Sequence, residues 1–128
     1  MSVETPNAKN HAGLGALRSR LVQVADLPWE PTQFPGIRSK MLVIDRDSGM
    51  HTALLKLEPG ATLSDHEHVG VEQTYVLEGR LVDKEGPDAG LECTAGDFIW
   101  RPPGSRHIAW APDGALLLAI FQVPNRFY

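Results

Sequence analysis

The sequence predicts an all-β domain built from short strands, a sandwich or a barrel. Two observations predict it. From Ile37 onward, short runs rich in Val, Ile, Leu and aromatic residues follow one another, and Gly-, Pro- and Asp-containing turn signals separate them. The length of 128 residues fits a single domain whose core needs no disulfide.

Residues 1–20 are expected to form a flexible, irregular N-terminal arm, and residues 21–128 the domain itself. Met1 to Gly15 is polar and rich in Gly, Ala and Asn. Ala16 to Asp26 reads either as a short helix or as a first strand at Leu21-Val22-Gln23-Val24. Pro28, Pro31 and Pro35 then exclude helix interior, and Trp29 and Phe34 are expected to anchor this stretch on the barrel wall. Ser39 to Asp45 is a strand, and Asp47-Ser48-Gly49 turns it into His51 to Leu57. Further strands are expected at Gln73–Leu77, Gly79–Asp83, Leu91–Thr94, Asp97–Arg101, His107–Trp110 and Leu116–Gln122. The turns between them lie at Glu78-Gly79, Glu85-Gly86-Pro87, Ala95-Gly96, Pro103-Gly104 and Pro112-Asp113-Gly114.

Composition removes several functions. The formal charge is −4 and the Lys and Arg residues are scattered, so no basic stripe offers a nucleic-acid surface. Cys93 is the only cysteine; no intramolecular disulfide exists, and the residue reads as a small buried hydrophobe. No apolar run has membrane-spanning or signal-peptide character, so a soluble cytoplasmic protein is expected.

Two segments framed by glycine and proline carry the chemistry. The first runs from Gly60 to Gly79 and contains His66, His68 and Glu72. The second runs from Gly96 through Pro102-Pro103-Gly104 to His107. Strand side chains alternate faces, so His66 and His68 point the same way. A tight turn through Val69-Gly70-Val71, with Gly70 supplying backbone freedom, returns Glu72 to that face. The Pro-Pro-Gly turn delivers His107 from a neighbouring hairpin. Three imidazoles and a carboxylate form a donor set for one divalent transition metal.

These segments match both signature motifs of the cupins, and from about Asp26 to Phe127 the chain resembles the RmlC-like members of that family. It is similar to small single-domain cupins related to acetylacetone-cleaving and dihydroxyacetophenone dioxygenases, and equally to the cupin domain of zinc-binding anti-sigma factors. The residues behind this include Trp29, Pro35-Gly36-Ile37, Asp47-Ser48-Gly49, Tyr75 to Arg80 and Pro102 to His107. The resemblance implies a jelly-roll β-barrel with metal ligands His66, His68, Glu72 and His107. It implies Fe(II) as the favoured ion, with Zn, Ni or Mn as alternatives. Two departures stand out. Ala111 occupies the place of a non-ligand Asn in the general second motif. The acetylacetone-cleaving enzymes use three His and no Glu at the Glu72 position.

With Glu72 inward, Thr74 and Val76 should line the cavity, and Gln73, Tyr75 and Leu77 the outer face. Phe98 and Trp100 share one face of their strand, and Arg101 the other. Ala109, on the His107 face, leaves room near the metal. Thr74, Val76, Phe98, Trp100, Ala109, Arg101 and His51 are thus candidate pocket residues. Trp100 and Trp110 read first as core or interface aromatics, and Arg80, Arg101 and Arg106 as rim charges, one of them a candidate anchor for a substrate anion. The expected function is a mononuclear non-haem iron dioxygenase that takes a small enolisable ketone, such as a β-diketone, and dioxygen. The alternatives are a zinc-holding sensor or binding module of the anti-sigma type, and a metal-dependent isomerase or lyase on a small sugar or keto acid. A homodimer, or a dimer of dimers, is expected, anchored by Trp29, Phe34, Phe127 or Tyr128.

Overall fold

The computed structural model describes residues 3–128; the first two residues of the N-terminal arm lie outside the described residues. Eleven strands form among the described residues: β1 (Val3–Glu4), β2 (Glu30–Pro31), β3 (Ile37–Asp45), β4 (His51–Leu57), β5 (Thr62–Glu67), β6 (Glu72–Glu85), β7 (Glu92–Thr94), β8 (Phe98–Arg101), β9 (Arg106–Trp110), β10 (Ala115–Phe121) and β11 (Arg126–Phe127). All pairings are antiparallel. The order β1-β3-β4-β10-β6-β9-β5-β11 curls the sheet around a central cavity, with β7 and β8 added on β6 and β2 on β3. This is the jelly-roll architecture the motifs imply. No helix of the described residues is long and apolar enough to cross a membrane.

β6 makes the curl possible. Its first half pairs with β10 and β8, and its second half with β7 and β9. The sequence reading placed a turn at Glu78-Gly79 between two strands; the structure instead has one continuous 14-residue strand. Gly79 adopts φ +72°, next to a bulge in which Leu77 of β6 is the extra residue opposite Leu116 and Leu117 of β10. The extra residue reverses the inward parity: Glu72, Thr74 and Val76 are buried before the bend, and Leu81 and Asp83 after it.

The core gathers around Ile37, Leu57, Val76, Leu81, Ala109 and Leu117, with Phe34, Leu55, Leu63 and Ile99 packed against it. Cys93 lies inside this cluster, and desolvation there raises its thiol pKa, as suits an inert packing residue. The start of the described arm pairs with the sheet. Val3 and Glu4 pair with Asp45 and Ile44, Thr5 Oγ1 donates to the Leu42 carbonyl, and Arg46 holds Glu4 at 2.8 Å. Of Ala16 to Asp26, read as a short helix or as a strand at Leu21–Val24, only a 3-10 turn at Val24–Asp26 forms. Lys40 folds inward beneath it, donating to the Val24 carbonyl while resting over the Trp29 ring.

Candidate metal centre

The end of β5 and the start of β9 converge on one point of the cavity. β5 delivers His66 opposite His107 of β9, as direct cross-strand partners. His68 stands just past the end of β5. It is pinned to the Pro-Pro-Gly turn by two backbone bonds, its own N–H to the Ser105 carbonyl and the Gly104 N–H to its carbonyl. The C-terminal strand β11 clamps β5 from outside: Phe127 pairs with His66, and its ring lies 5.2 Å from the imidazole. One ring nitrogen from each of His66, His68 and His107 falls within 4.8 Å of the others, and all three residues are buried.

The hydrogen bonds fix which nitrogen is free. His66 Nδ1 faces the Ser64 carbonyl at 2.8 Å, an acceptor only, so Nδ1 carries the proton. His68 Nδ1 lies 2.8 Å from Ser105 Oγ, and that hydroxyl already donates to the Pro102 carbonyl. Ser105 must therefore accept from His68. His107 Nδ1 lies 3.1 Å from Asp83 Oδ1. Burial alone would raise the Asp83 pKa, but His107 and the paired Arg101 outweigh it and hold the group ionised. All three imidazoles thus present a bare Nε2 to the same point. His66 Nε2 and His107 Nε2 face each other at 2.9 Å, and buried His68 Nε2 has no hydrogen-bond partner. Opposed lone pairs in a buried site are costly unless a cation stands between them. The donor set fits a divalent ion that favours imidazole, such as Zn, Fe, Ni or Cu.

Glu72 stands beside this triad. Its Oε2 is 2.9 Å from His68 Nε2, without hydrogen-bond alignment, and accepts from Asn125 Nδ2; its Oε1 accepts from Thr74 Oγ1. Burial pulls its pKa upward, and the Asn125 amide that donates to Oε2 opposes that and favours the ionised form. An ionised carboxylate here offsets the charge of a divalent cation. Asn125 escaped the sequence reading because it reaches the site from 53 residues away along the chain.

Behind His107 the structure corrects the expectation for Arg101. Its guanidinium is 4% exposed and grips both Asp83 oxygens, at 2.6 and 2.9 Å. It orients the carboxylate that orients the imidazole, and it does not line the cavity. Arg80 pairs with Asp113 and Glu92, and Arg106 with Asp65, so each of the three candidate arginines is already engaged.

The cavity encloses about 470 Å³ beside His66, Glu72 and His107. Thr74 and His51 line it. His51 stacks on Phe121 at 4.4 Å, and its Nδ1 bonds the Gly49 carbonyl, so it supports no metal ligand by hydrogen bonding from that nitrogen. Val76 and Ala109 belong to the closed core instead. Phe98 and Trp100 are 54% and 59% exposed on the outer surface. Their cross-strand partners are Tyr75 and Gln73, which also face outward. Met41, Ala53, Leu55, Leu117, Ala119 and Phe121 also line the cavity. Strict alternation along β4 and β10 from the motif strand would have found most of these.

Protonation should oppose both folding and metal binding at this centre. Desolvation is the main cause that lowers the His66 pKa to about 4, against an ordinary 6.5. Below pH 6.5 the unfolded chain takes up a proton that the folded chain refuses, so stability falls as pH drops from 6.5 toward 4 and is full above 6.5. The whole effect is about 3 kcal/mol for the metal-free protein. Melting temperatures between pH 7.5 and 4.5 should show this slope, and His66→Gln should flatten it.

Residues 17–125 match the family model described as the ChrR cupin-like domain. A search of curated protein sequences gives no significant match. Among solved structures, a protein of Methylibium petroleiphilum PM1 aligns with TM-score 0.79 at 23% identity, covering 90% of this chain and 84% of that one. An acetylacetone dioxygenase from Acinetobacter johnsonii aligns with TM-score 0.76 at 18% identity, covering 93% and 84%. An RmlC-like cupin from Ralstonia eutropha JMP134 aligns with TM-score 0.74 at 22% identity, covering 84% and 71%. At these identities the likeness is one of fold.

Proposed function

This chain belongs to the ChrR cupin-like domain family, and from that premise and its buried triad we propose that it is a mononuclear iron enzyme, a dioxygenase that cleaves a carbon–carbon bond of a small enolisable ketone such as a β-diketone. One observation carries the reading: three bare Nε2 atoms converge beside a mostly apolar cavity of about 470 Å³.

In this reading His66, His68 and His107 hold Fe(II). Bound iron would supply a Lewis-acidic anchor for an enolate and one-electron chemistry toward dioxygen. The chain's own residues do the rest. Ser64, Ser105 and Asp83 lock the imidazole tautomers, so the donors are set before the ion arrives. Glu72, held by Thr74 and Asn125, adds a fixed negative charge at the edge of the triad. Ile37, Leu55, Leu117 and Phe121 keep water from the reacting carbon.

The family match also favours a second reading, a zinc-holding sensor or ligand-binding module. Metal exchange separates the two. The iron-loaded protein should take up dioxygen when given a β-diketone, and the zinc-loaded protein should not, since zinc has no redox chemistry. Uptake no higher than the iron-only background would favour the binding module. Equal conversion by both forms would favour an isomerase or lyase.

A further inference from the structure

We infer that the cavity is built for a ketone with an uncharged apolar tail, lodged in a slot floored by Ala53 and Ala119; the inference rests on the reading of the metal centre given above. Antiparallel cross-strand partners share a face, so the inner wall can be followed row by row. Thr74 pairs with Ala119, Ala119 with Ala53, and Ala53 with Met41, and all four line the cavity. This row starts at Thr74, whose hydroxyl touches Glu72 beside the triad, and runs away from the centre toward Met41.

The rows on either side are tall. On one flank Phe121 pairs with His51, their rings stacked 4.4 Å apart with 14° between planes. On the other, Leu117 pairs with Leu55. Those flanking rows are four residues apart along the strands, roughly 13 Å. Between them the two alanines leave a trough open at the metal end. Among the described residues no Lys or Arg lines the cavity, and the one carboxylate that does, Glu72, sits at the metal end. An ionised tail would therefore be desolvated with no opposite charge to pair with. A phenyl or short alkyl tail fits, and a diketone with methyl ends leaves most of the 470 Å³ unfilled.

The test uses two chelating probes, acetylacetone and 1-phenyl-1,3-butanedione, titrated into the full chain loaded with cobalt(II) and followed by its visible absorption. The phenyl probe should bind about tenfold or more tightly than acetylacetone. Ala53→Leu and Ala119→Leu should each bring the ratio of affinities close to one. Cobalt content and melting temperature establish that the variants keep the centre, and Ala53→Val and Ala119→Val replace them if the larger side chains prevent folding. A native ratio near one overturns the slot, as does a native preference that survives both substitutions. If the cobalt protein binds neither probe, the enolate reading of the centre falls, and the slot with it.

Discussion

Replacing His107 or His66 with alanine is expected to remove most of the metal from this protein, weakening its affinity by well over the ~100-fold typical of outer partners. Either change deletes one of three nitrogens that already point at the same place, and no neighbouring side chain can substitute. Glu72 contacts His68 rather than His66 or His107 at hydrogen-bonding range, and Asp83 is committed to Arg101. Competition with a chelating dye under zinc or cobalt would measure the loss. A graded series gives the assignment its force. Ser105→Ala leaves all three ligands but frees the His68 tautomer, and should cost roughly 10-fold. Glu72→Ala should lie well below His107→Ala, since three imidazoles already close on the site. If Glu72→Ala abolished binding while His107→Ala kept it, the centre would not be the triad described here.

The ligands were legible because each motif is local. A His-x-His pair and a His after a Pro-Pro-Gly turn place their imidazoles by short-range geometry. What holds them was not legible. Ser105 reaches His68 from 37 residues away, and Asp83 reaches His107 from 24. Those contacts depend on strand register, which the sequence does not state. Register also decided the aromatic pair on β8. Alternation rightly put Phe98 and Trp100 on one face and Arg101 on the other. It did not say which face was inner. Pairing with Glu72 turns Arg101 inward, and pairing with Gln73 and Tyr75 turns Trp100 and Phe98 out. Gly70 shows a related limit. It was assigned to the turn for its backbone freedom, yet it has no positive φ. A Cβ there would press on Gln122 at 3.0 to 3.1 Å, so glycine serves close packing at this point rather than a left-handed turn.

Gly79→Ala is the substitution expected to harm the fold most. Two independent costs meet at this position. Its φ of +72° lies in the left-handed region, where a side chain is disfavoured by about 1 kcal/mol or more. A Cβ would also run into the Gly114 carbonyl oxygen, which is backbone and unable to rotate aside. Gly79 cannot retreat, because Ala115 is its cross-strand partner on β10 and its own carbonyl takes the Ala95 N–H at 3.0 Å. The sheet must open there, at a cost of about 4 kcal/mol or more. That corresponds to a fall in melting temperature of ~15 °C or more. The damage should extend to the metal centre. Glu72 and Thr74 lie before the bend in β6, and Asp83, which orients His107, lies after it. One strand thus reaches both sides of the triad only because a glycine lets it turn. Calorimetry and a metal titration on the same variant should therefore fail together. A Gly79→Ala protein that melted normally would show that the bend is not the constraint on which the site depends.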